Sequence, residues 1–343
     1  MKRFLIVFFF LLLSFADWSC SHKNLNIAKP AYANAGKYYT FPSVQGVSSE
    51  LDQVARSIYR LSVIAFYESY TFDRKAGITL QKFKTEDVAR LALSHTVSSQ
   101  SVLGTASVVY ADNEKAVLLT CAHVVNFPDT SIIYYPDASG FIRNISIKIK
   151  QVSYVSGLSN PDVKLLATDD KHDIALLQAR VSPLENIRVM PFPTGKASDL
   201  DWGSFIYVMG FPNGRKMVES GIVSKPERNK TGFFLSNAMF NPGISGGPVF
   251  AILHGTAGLE WVGMASSSSA TNIFYVEPDI NQADFYSKTE PYKGVLHINK
   301  KKMITYGVTF SVSMEEIIRF VASIKTKLEK EGFDTQQFFY HQP

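Results

Sequence analysis

A serine set among glycines is the feature of this 343-residue sequence that most clearly indicates chemistry. Ser245 lies in the stretch NPGISGGPVF, residues 241–250, where the flanking glycines hold it on a tight turn with its hydroxyl exposed. Glycines also leave backbone N–H groups free to face a substrate oxygen. The stretch therefore predicts a nucleophilic serine beside a site for a developing oxyanion.

A histidine and an aspartate upstream are the candidate partners of this serine. His123 follows the apolar run AVLLT, a setting in which a histidine is more often an ordinary core residue. Asp173 adjoins the apolar run IALL, and a carboxylate beside a buried strand needs a partner such as a histidine N–H. The neighbouring His172 is predicted to point to the opposite face, at the surface. Asp169 and Asp170 are predicted to be ordinary turn residues.

The rest of the sequence indicates many strands and two helices. Short apolar runs rich in β-branched and aromatic residues alternate with turn signals, which predicts an all-β barrel or sandwich. One helix is predicted over residues 80–94, as an insertion between the first two strands. A second begins at Ser313, which with Glu316 forms a capping box, and it is expected to end near Gly332.

Together the three motifs resemble the trypsin-like serine peptidases, and the bacterial HtrA/Deg-type branch in particular. The histidine lies in TCAHVV, the aspartate in HDIALL and the serine in NPGISGGP, in the family's order. The resemblance extends over roughly residues 51–332 and implies two perpendicular six-stranded β-barrels with the active site between them. It also implies a catalytic triad of His123, Asp173 and Ser245, with an oxyanion hole formed by the N–H groups of Gly243 and Ser245. Protein or peptide substrates follow from it, and neither a metal nor an organic cofactor does.

The resemblance also implies where the substrate's side chain binds. The residue six before the serine, Met239, would form the base of the primary pocket, and Ser266, Ser267 and Ser268 its wall. No aspartate or glutamate occurs in residues 235–249 or 262–275, so the pocket is expected to accept apolar side chains.

The sequence departs from the family pattern in several places. The Gly-Ser-Gly strand before the histidine becomes Gly104-Thr105-Ala106. About fifty residues separate His123 from Asp173, with the surplus in the stretch 126–165. After residue 312, 31 residues follow, too few for the PDZ domain that many HtrA proteins carry, so none is expected.

The N-terminus carries an export signal. Lys2 and Arg3 precede twelve apolar or small residues, too short for the roughly 20 that span a bilayer. Cleavage after Ala16 would give a secreted or periplasmic chain, whereas lipidation of Cys20 would anchor it to a membrane, and a retained anchor also stays open. In each case the chain is exported. The expected organisation is a signal peptide (1–20), a flexible tether (21–50), barrel one (51–185), barrel two (195–312), a C-terminal helix (313–332) and a tail (333–343).

Composition excludes several other classes of protein. The net charge is +5 without a long basic run, which gives no nucleic-acid footprint, and two cysteines supply neither a disulfide scaffold nor a zinc site. The GISGG motif would also suit an α/β-hydrolase, but the following Pro248 and VFAIL lead into a strand rather than a helix. A catalytically silent binding protein on a peptidase fold stays open, as does the oligomeric state.

Overall fold

The described part of the chain is almost entirely antiparallel β-structure. The computed structural model describes residues 36–40, 47–137, 139–226, 231–254, 258–278, 289, 294 and 296–339, which belong to one unit beginning at Gly36. The expected signal peptide, Cys20 and most of the expected tether lie outside the described residues. Two sheets carry the fold, which confirms the all-β class.

The first sheet has seven strands, hydrogen-bonded in the order β4-β5-β1-β2-β3-β7-β6. These are β1 (Ile58–Phe72), β2 (Ala92–Ala111), β3 (Lys115–Thr120), β4 (Thr130–Tyr134), β5 (Ile142–Val155), β6 (Val163–Asp169) and β7 (Ile174–Arg180). Six strands were expected. The edge strand β4 lies within the long stretch between His123 and Asp173, so part of the surplus sequence there adds a strand to the sheet.

The second sheet closes into a six-stranded barrel in the order β10-β13-β12-β11-β8-β9, as expected. Its strands are β8 (Phe205–Gly210), β9 (Met217–Lys225), β10 (Phe233–Ser236), β11 (Pro248–Ile252), β12 (Leu259–Pro278) and β13 (Leu296–Ser313). Val208, Phe234, Val249 and Val262 fill its interior. Strands β12 and β13 are far longer than their partners, and they pair with each other alone from Ala270 outward.

Within the described residues there are also five short α-helices: α1 (Ser48–Arg56), α2 (Leu80–Thr85), α3 (Ala122–Val125), α4 (Met314–Ser323) and α5 (Lys325–Lys330). The helix predicted over 80–94 ends early because Ala92 already pairs with Phe72 in the sheet. Strand pairing over a long distance overrides the local helical pattern there. The C-terminal helix begins as predicted, with Ser313 as its cap, but a break at Ile324 divides it into α4 and α5. Within the described residues, no helix is both long and apolar enough to cross a bilayer.

The folded domain starts before the expected boundary near residue 51. Tyr38, expected in the tether, is only 3% exposed, and its hydroxyl lies 2.7 Å from the Glu260 carboxylate. It forms a β-bridge to Leu253, and the Tyr39 N–H donates to the Ile252 carbonyl at 3.0 Å. Residues 36–40 are therefore part of the barrel's packing rather than of a flexible tether.

The expected tail is also part of the core. Phe333, Phe338 and Phe339 are buried against the first sheet, where the Phe338 and Tyr110 rings stack with centroids 5.4 Å apart. The Phe339 N–H donates to the Val109 carbonyl at 3.0 Å. The periodic helix pattern ends before these aromatics, so their burial depends on contacts that no local signal indicates.

Replacing Tyr38 by alanine tests whether this N-terminal segment belongs to the fold. Loss of a buried aromatic side chain should lower the free energy of unfolding by about 3 kcal/mol. Trp202→Ala, which removes a large aromatic that is 63% exposed, serves as the control and should change it by under about 0.5 kcal/mol. Urea denaturation measures both, and equal small losses would show that residues 36–40 do not stabilise the domain.

Candidate active site

The serine loop folds as two consecutive turns, each with a glycine at positive φ in third position. In the first, the Ile244 N–H donates to the Asn241 carbonyl at 3.1 Å, and Gly243 has φ +104°. In the second, the Gly247 N–H donates to the Ile244 carbonyl at 2.8 Å, and Gly246 has φ +89°. Glycine adopts this conformation without the strain other residues meet. The sequence N-P-G-I-S-G-G thus sets the path of the loop and lifts its serine to the tip.

The peptide group between Pro242 and Gly243 is held in one orientation. Its carbonyl accepts the Asn213 N–H at 2.8 Å, and the N–H of a trans peptide points the opposite way. A Cβ on Gly243 would lie 2.2 Å from the Phe211 carbonyl oxygen, so only glycine fits. Within the described part of the chain, neither the Gly243 N–H nor the Ser245 N–H has an acceptor. Two donors are therefore available to a ligand oxygen.

Thr105 fastens this loop to strand β2 of the first sheet. Its hydroxyl donates to the Gly243 carbonyl at 2.8 Å and accepts the Phe211 N–H at 3.0 Å. Its own N–H donates to the Ser245 carbonyl at 2.7 Å. A Cβ on Gly246 would lie 2.0 Å from the Thr105 carbonyl oxygen, so the two segments meet at backbone contact. In the sequence, Thr105 stands out only as a departure from the family pattern, and no local signal indicates this role.

The structure brings His123, Asp173 and Ser245 into one hydrogen-bonded series. His123 lies in α3, directly after the buried strand β3, and its Nδ1 is 2.8 Å from Asp173 Oδ2. Its Nε2 is 3.1 Å from Ser245 Oγ. Because the Asp173 carboxylate accepts a hydrogen bond from the Nδ1–H of His123, this tautomer leaves Nε2 as the acceptor that faces the serine. The serine hydroxyl has a second acceptor, the Ser266 carbonyl at 2.9 Å.

Asp173 is a mostly buried carboxylate that stays ionised. Burial by itself would raise its pKa, but the hydrogen bond and charge of His123, the Ser266 hydroxyl and the His123 backbone N–H together hold the pKa below 3.8. The Ser266 hydroxyl lies 2.5 Å from Oδ2, and the His123 N–H lies 2.9 Å from Oδ1. Asp173 has φ +58°, a left-handed conformation that aspartate tolerates better than most residues. Ser266 was predicted only as a pocket wall, so its contact with Asp173 went unforeseen.

Cys121 lies next to this series but is shielded from reaction. It is fully buried, and its Sγ donates to the Ala265 carbonyl at 3.2 Å. Burial and the charge of Asp173 raise the pKa of its thiol well above the ordinary value. Metal-ligating atoms of Cys121, His123 and Asp173 lie within 4.8 Å of one another, but a protonated thiol is a poor metal ligand. The arrangement suits proton transfer between His123 and Ser245.

A cleft of about 920 Å³ opens onto Ser245 and His123. It is lined by the predicted Ser266, Ser267 and Ser268, and also by Asp170, Phe233, Phe240, Ile304 and Phe310. Met239, the predicted pocket base, is 51% exposed and is not among the residues that line this cleft. The adjacent Phe240, 3% exposed, takes the inward position.

His172 and Asp169 differ from their predicted roles as surface and simple turn residues. The His172 side chain is only 14% exposed, and its Nδ1 lies 2.7 Å from Asp169 Oδ2 and 3.3 Å from Glu316 Oε1. Asp170 is a turn residue as expected, accepting a hydrogen bond from Asn126 at 3.0 Å. The capping pattern pointed to Glu316 only as a cap residue, and no local signal indicated its contact with His172.

Comparison with known proteins finds a matching family model and several sequence relatives. Residues 104–258 match the family model of the trypsin-like peptidase domain. Relatives include the probable periplasmic serine endoprotease DegP-like of Hahella chejuensis, 34% identical over 93 residues. The protein of the same name from Ectopseudomonas mendocina is 31% identical over 112 residues. These alignments cover 25% and 31% of this chain but only 19% and 23% of the relatives, so the chain spans about a fifth of the length of the curated relatives it matches.

Solved structures with a similar backbone include two described as proteases or Deg proteins. The HtrA-type protease AlgW with tripeptide has a TM-score of 0.45 and 17% identity, covering 82% of this chain and 64% of that one. The crystal structure of Deg5 has a TM-score of 0.39 and 16% identity, covering 80% and 92% respectively.

The matched peptidase domain includes His123, Asp173 and Ser245 together with the glycine-rich loop. The sequence relatives of the chain carry the DegP-like name. Residues 104–258 are therefore similar to a trypsin-like peptidase domain, and the chain has DegP-like serine endoproteases among its relatives.

Proposed function

We propose that this chain is a serine endopeptidase, which hydrolyses peptide bonds of protein or peptide substrates through a covalent acyl-enzyme. One observation carries the proposal: the hydrogen-bonded series Asp173–His123–Ser245 stands beside two backbone N–H groups without acceptors. A nucleophile, a base, a group that orients the base and a pair of oxyanion donors are the parts that acyl transfer needs.

In the proposed reaction Ser245 Oγ attacks the substrate carbonyl while His123 Nε2 takes the hydroxyl proton. Asp173 stabilises the imidazolium that forms and holds the ring in place. The C–N bond then breaks as His123 delivers the proton to the leaving amine, which leaves an ester on Ser245. A water molecule, deprotonated by His123, hydrolyses that ester and restores the serine. These steps balance with the chain's own groups and water, so the proposal includes no metal or organic cofactor.

The N–H groups of Gly243 and Ser245 would bind the oxyanion of the tetrahedral intermediate. Each donor of this kind contributes on the order of 3 kcal/mol to transition-state stabilisation. The Pro242 carbonyl, fixed by the Asn213 N–H, keeps the first of these donors turned away from Asn213. This contact supports a hole that is formed before substrate binds.

Ser245→Ala should reduce peptide hydrolysis by a factor of about 10⁶, because members of a triad act as a unit. The same change should abolish labelling by a fluorophosphonate probe, while the melting temperature stays close to that of the wild type. Ser99→Ala, which removes an exposed hydroxyl from strand β2, is the matched control and should label normally. An alanine variant that still cleaved casein at the wild-type rate would show that Ser245 is not the nucleophile.

The rival function is that of a silent binding protein on a peptidase fold. The same labelling experiment separates the two, since a silent protein would leave Ser245 unlabelled in the wild type. The unpaired N–H groups and the 3.1 Å contact of His123 with Ser245 favour the enzyme.

The cleft supports a preference for apolar side chains before the cleaved bond. Phe240, Ile304 and Phe310 line it, and the carboxylate of Asp173 is already engaged by His123 and Ser266. Asp170, the other acidic residue among the described lining residues, accepts a hydrogen bond from Asn126. A buried lysine or arginine would therefore lack a free carboxylate partner, which is costly.

Two peptides that differ only in leucine or lysine before the cleaved bond test this preference. The leucine peptide should have at least about tenfold higher kcat/KM. The reason is that burying the unpaired lysine cation costs more binding free energy than the methylene groups of lysine contribute. Steady-state kinetics with both peptides decides the question. A higher kcat/KM for the lysine peptide would contradict the apolar pocket.

We also propose that the chain is exported to the cell envelope and anchored by lipid at Cys20. The charged N-terminus with its short apolar run supports export, and the name of the relatives describes them as periplasmic. Cys20→Ala should move the protein from the membrane to the soluble fraction on cell fractionation. Ser19→Ala, one residue away, is the control and should stay with the membrane. Continued membrane attachment of Cys20→Ala would mean that the anchor is not a lipid on Cys20.

A further inference from the structure

The turn that presents Asp173 is a four-residue connection between β6 and β7. Asp169 and Ile174 form the last pair of the ladder, and Asp173 closes the turn with φ +58°. Asp169 Oδ1 accepts the N–H groups of Lys171 at 3.0 Å and His172 at 3.2 Å, which fixes the backbone of the turn as far as His172. In the second half of the turn, Asp169 thus caps His172 but not Asp173.

His172 links this second half to the C-terminal helix. It directly precedes Asp173, and its Nδ1 contacts both Asp169 Oδ2 and Glu316 Oε1, at 2.7 and 3.3 Å. Glu316 lies in the first turn of α4 and its side chain is only 7% exposed. A carboxylate buried to this extent is costly unless it is paired, and here the pairs are with His172 and Arg319.

The contact is closely packed from a third side. A Cβ added to Gly232 would lie 3.2 Å from His172 Cδ2 and 3.3 Å from Glu316 Cγ. The Gly232 carbonyl accepts the Ser313 N–H at 2.8 Å, which joins the same backbone to the start of α4. The ring of His172 therefore has little room to move while Glu316 holds it.

We propose that Glu316, acting through His172, is a positioning residue for Asp173; this rests on the proposed peptidase function. His172 Nδ1 is hydrogen-bonded to Asp169, and the contact with Glu316 at 3.3 Å confines the imidazole from the side of α4. The confined imidazole in turn fixes the backbone that leads into Asp173. The proposed reaction needs Asp173 within hydrogen-bond distance of His123, and a misplacement of 1 Å in such a group can cost 10²-fold in rate. The C-terminal helix thus takes part in the geometry of the active site without touching the substrate.

The adjacent Glu315 provides a matched control. It lies in the same helical turn, but its carboxylate accepts the N–H groups of Ala197 and Ser198 at 2.9 and 3.0 Å. It anchors the helix to the segment that leads into the barrel and does not contact the Asp173 turn. Removing the Glu315 carboxylate therefore shows how much activity is lost when the helix is less firmly attached but the Asp173 turn keeps its contacts.

Steady-state kinetics on the full chain tests the proposal. Glu316→Ala should lower kcat at least about tenfold with KM within about twofold, because ground-state contacts with substrate are unchanged. Glu316→Gln keeps an acceptor for His172 at the same reach and should restore kcat to within about threefold. Glu315→Ala should keep wild-type kcat even where its melting temperature falls as far. Wild-type kcat in Glu316→Ala, or an equal loss in Glu315→Ala, would overturn the proposal.

Should Glu316→Ala fail to fold, Glu316→Asp takes its place. Aspartate keeps the charge but shortens the reach by one methylene, so kcat should fall about tenfold while Glu316→Gln stays active. An active Glu316→Asp with an impaired Glu316→Gln would show that the charge near the turn matters and that positioning through His172 does not.

A double-mutant cycle tests whether His172 carries the effect. If it does, the double variant His172→Ala with Glu316→Ala should lose no more kcat than His172→Ala alone. Losses that multiply would overturn the route through His172.

A readout that does not need turnover separates this proposal from the proposed function. The Nδ1–H proton of His123, bonded to Asp173, should give a slowly exchanging downfield NMR signal in the wild type. Its exchange should become at least about tenfold faster in Glu316→Ala and stay unchanged in Glu315→Ala. If the wild type resists the fluorophosphonate probe, the peptidase function fails, and the NMR comparison still decides whether Glu316 positions Asp173.

Discussion

The structure depends on a backbone contact so close that no side chain fits within it. Gly246 passes the Thr105 carbonyl at a distance that would leave an added Cβ 2.0 Å from the oxygen. Thr105 belongs to the first sheet, and Gly246 to the loop that enters the barrel at β11. The contact brings the serine of one sheet within reach of the histidine and aspartate of the other. The remaining hydrogen bonds of the site are arranged around this contact between Gly246 and Thr105.

The electrostatic environment then sets the protonation state of the titratable groups near this contact. Asp173 is buried enough for its pKa to rise, yet three donors that surround it reverse the direction. The neighbouring Cys121 is fully buried beside the charge of Asp173, and a hydrogen bond from the Gly246 backbone does not offset these two effects, so the pKa of its thiol is raised well above the ordinary value. Two titratable groups in one environment thus take opposite roles, an ionised acceptor and an inert core residue.

The sequence predicted best those features that neighbouring residues determine. The turns around Gly243 and Gly246 follow from the positive φ that glycine allows, and Ser313 caps its helix within one turn. Features set by distant contacts were missed. Met239 and Phe240 are equally apolar in the sequence, so only the packed barrel decides which of them faces the cleft.

The same limit applies to charged residues whose partners are far apart in sequence. His172 was expected at the surface because its partner Glu316 lies on another element, and a single sequence does not show that pairing. The helix predicted over 80–94 was shortened by a strand partner in β1. The order of His123, Asp173 and Ser245 was informative because it belongs to a family motif, not because spacing alone reveals geometry.

The burial of Phe333, Phe338 and Phe339 against the first sheet has a consequence for how the chain is made. Val109 and Phe339 are hydrogen-bonded partners although more than two hundred residues separate them. The core beneath Tyr110 therefore stays open until the ribosome has released residues 333–339. Because contacts between residues so far apart in sequence form slowly, this part of the core is expected to close late in folding.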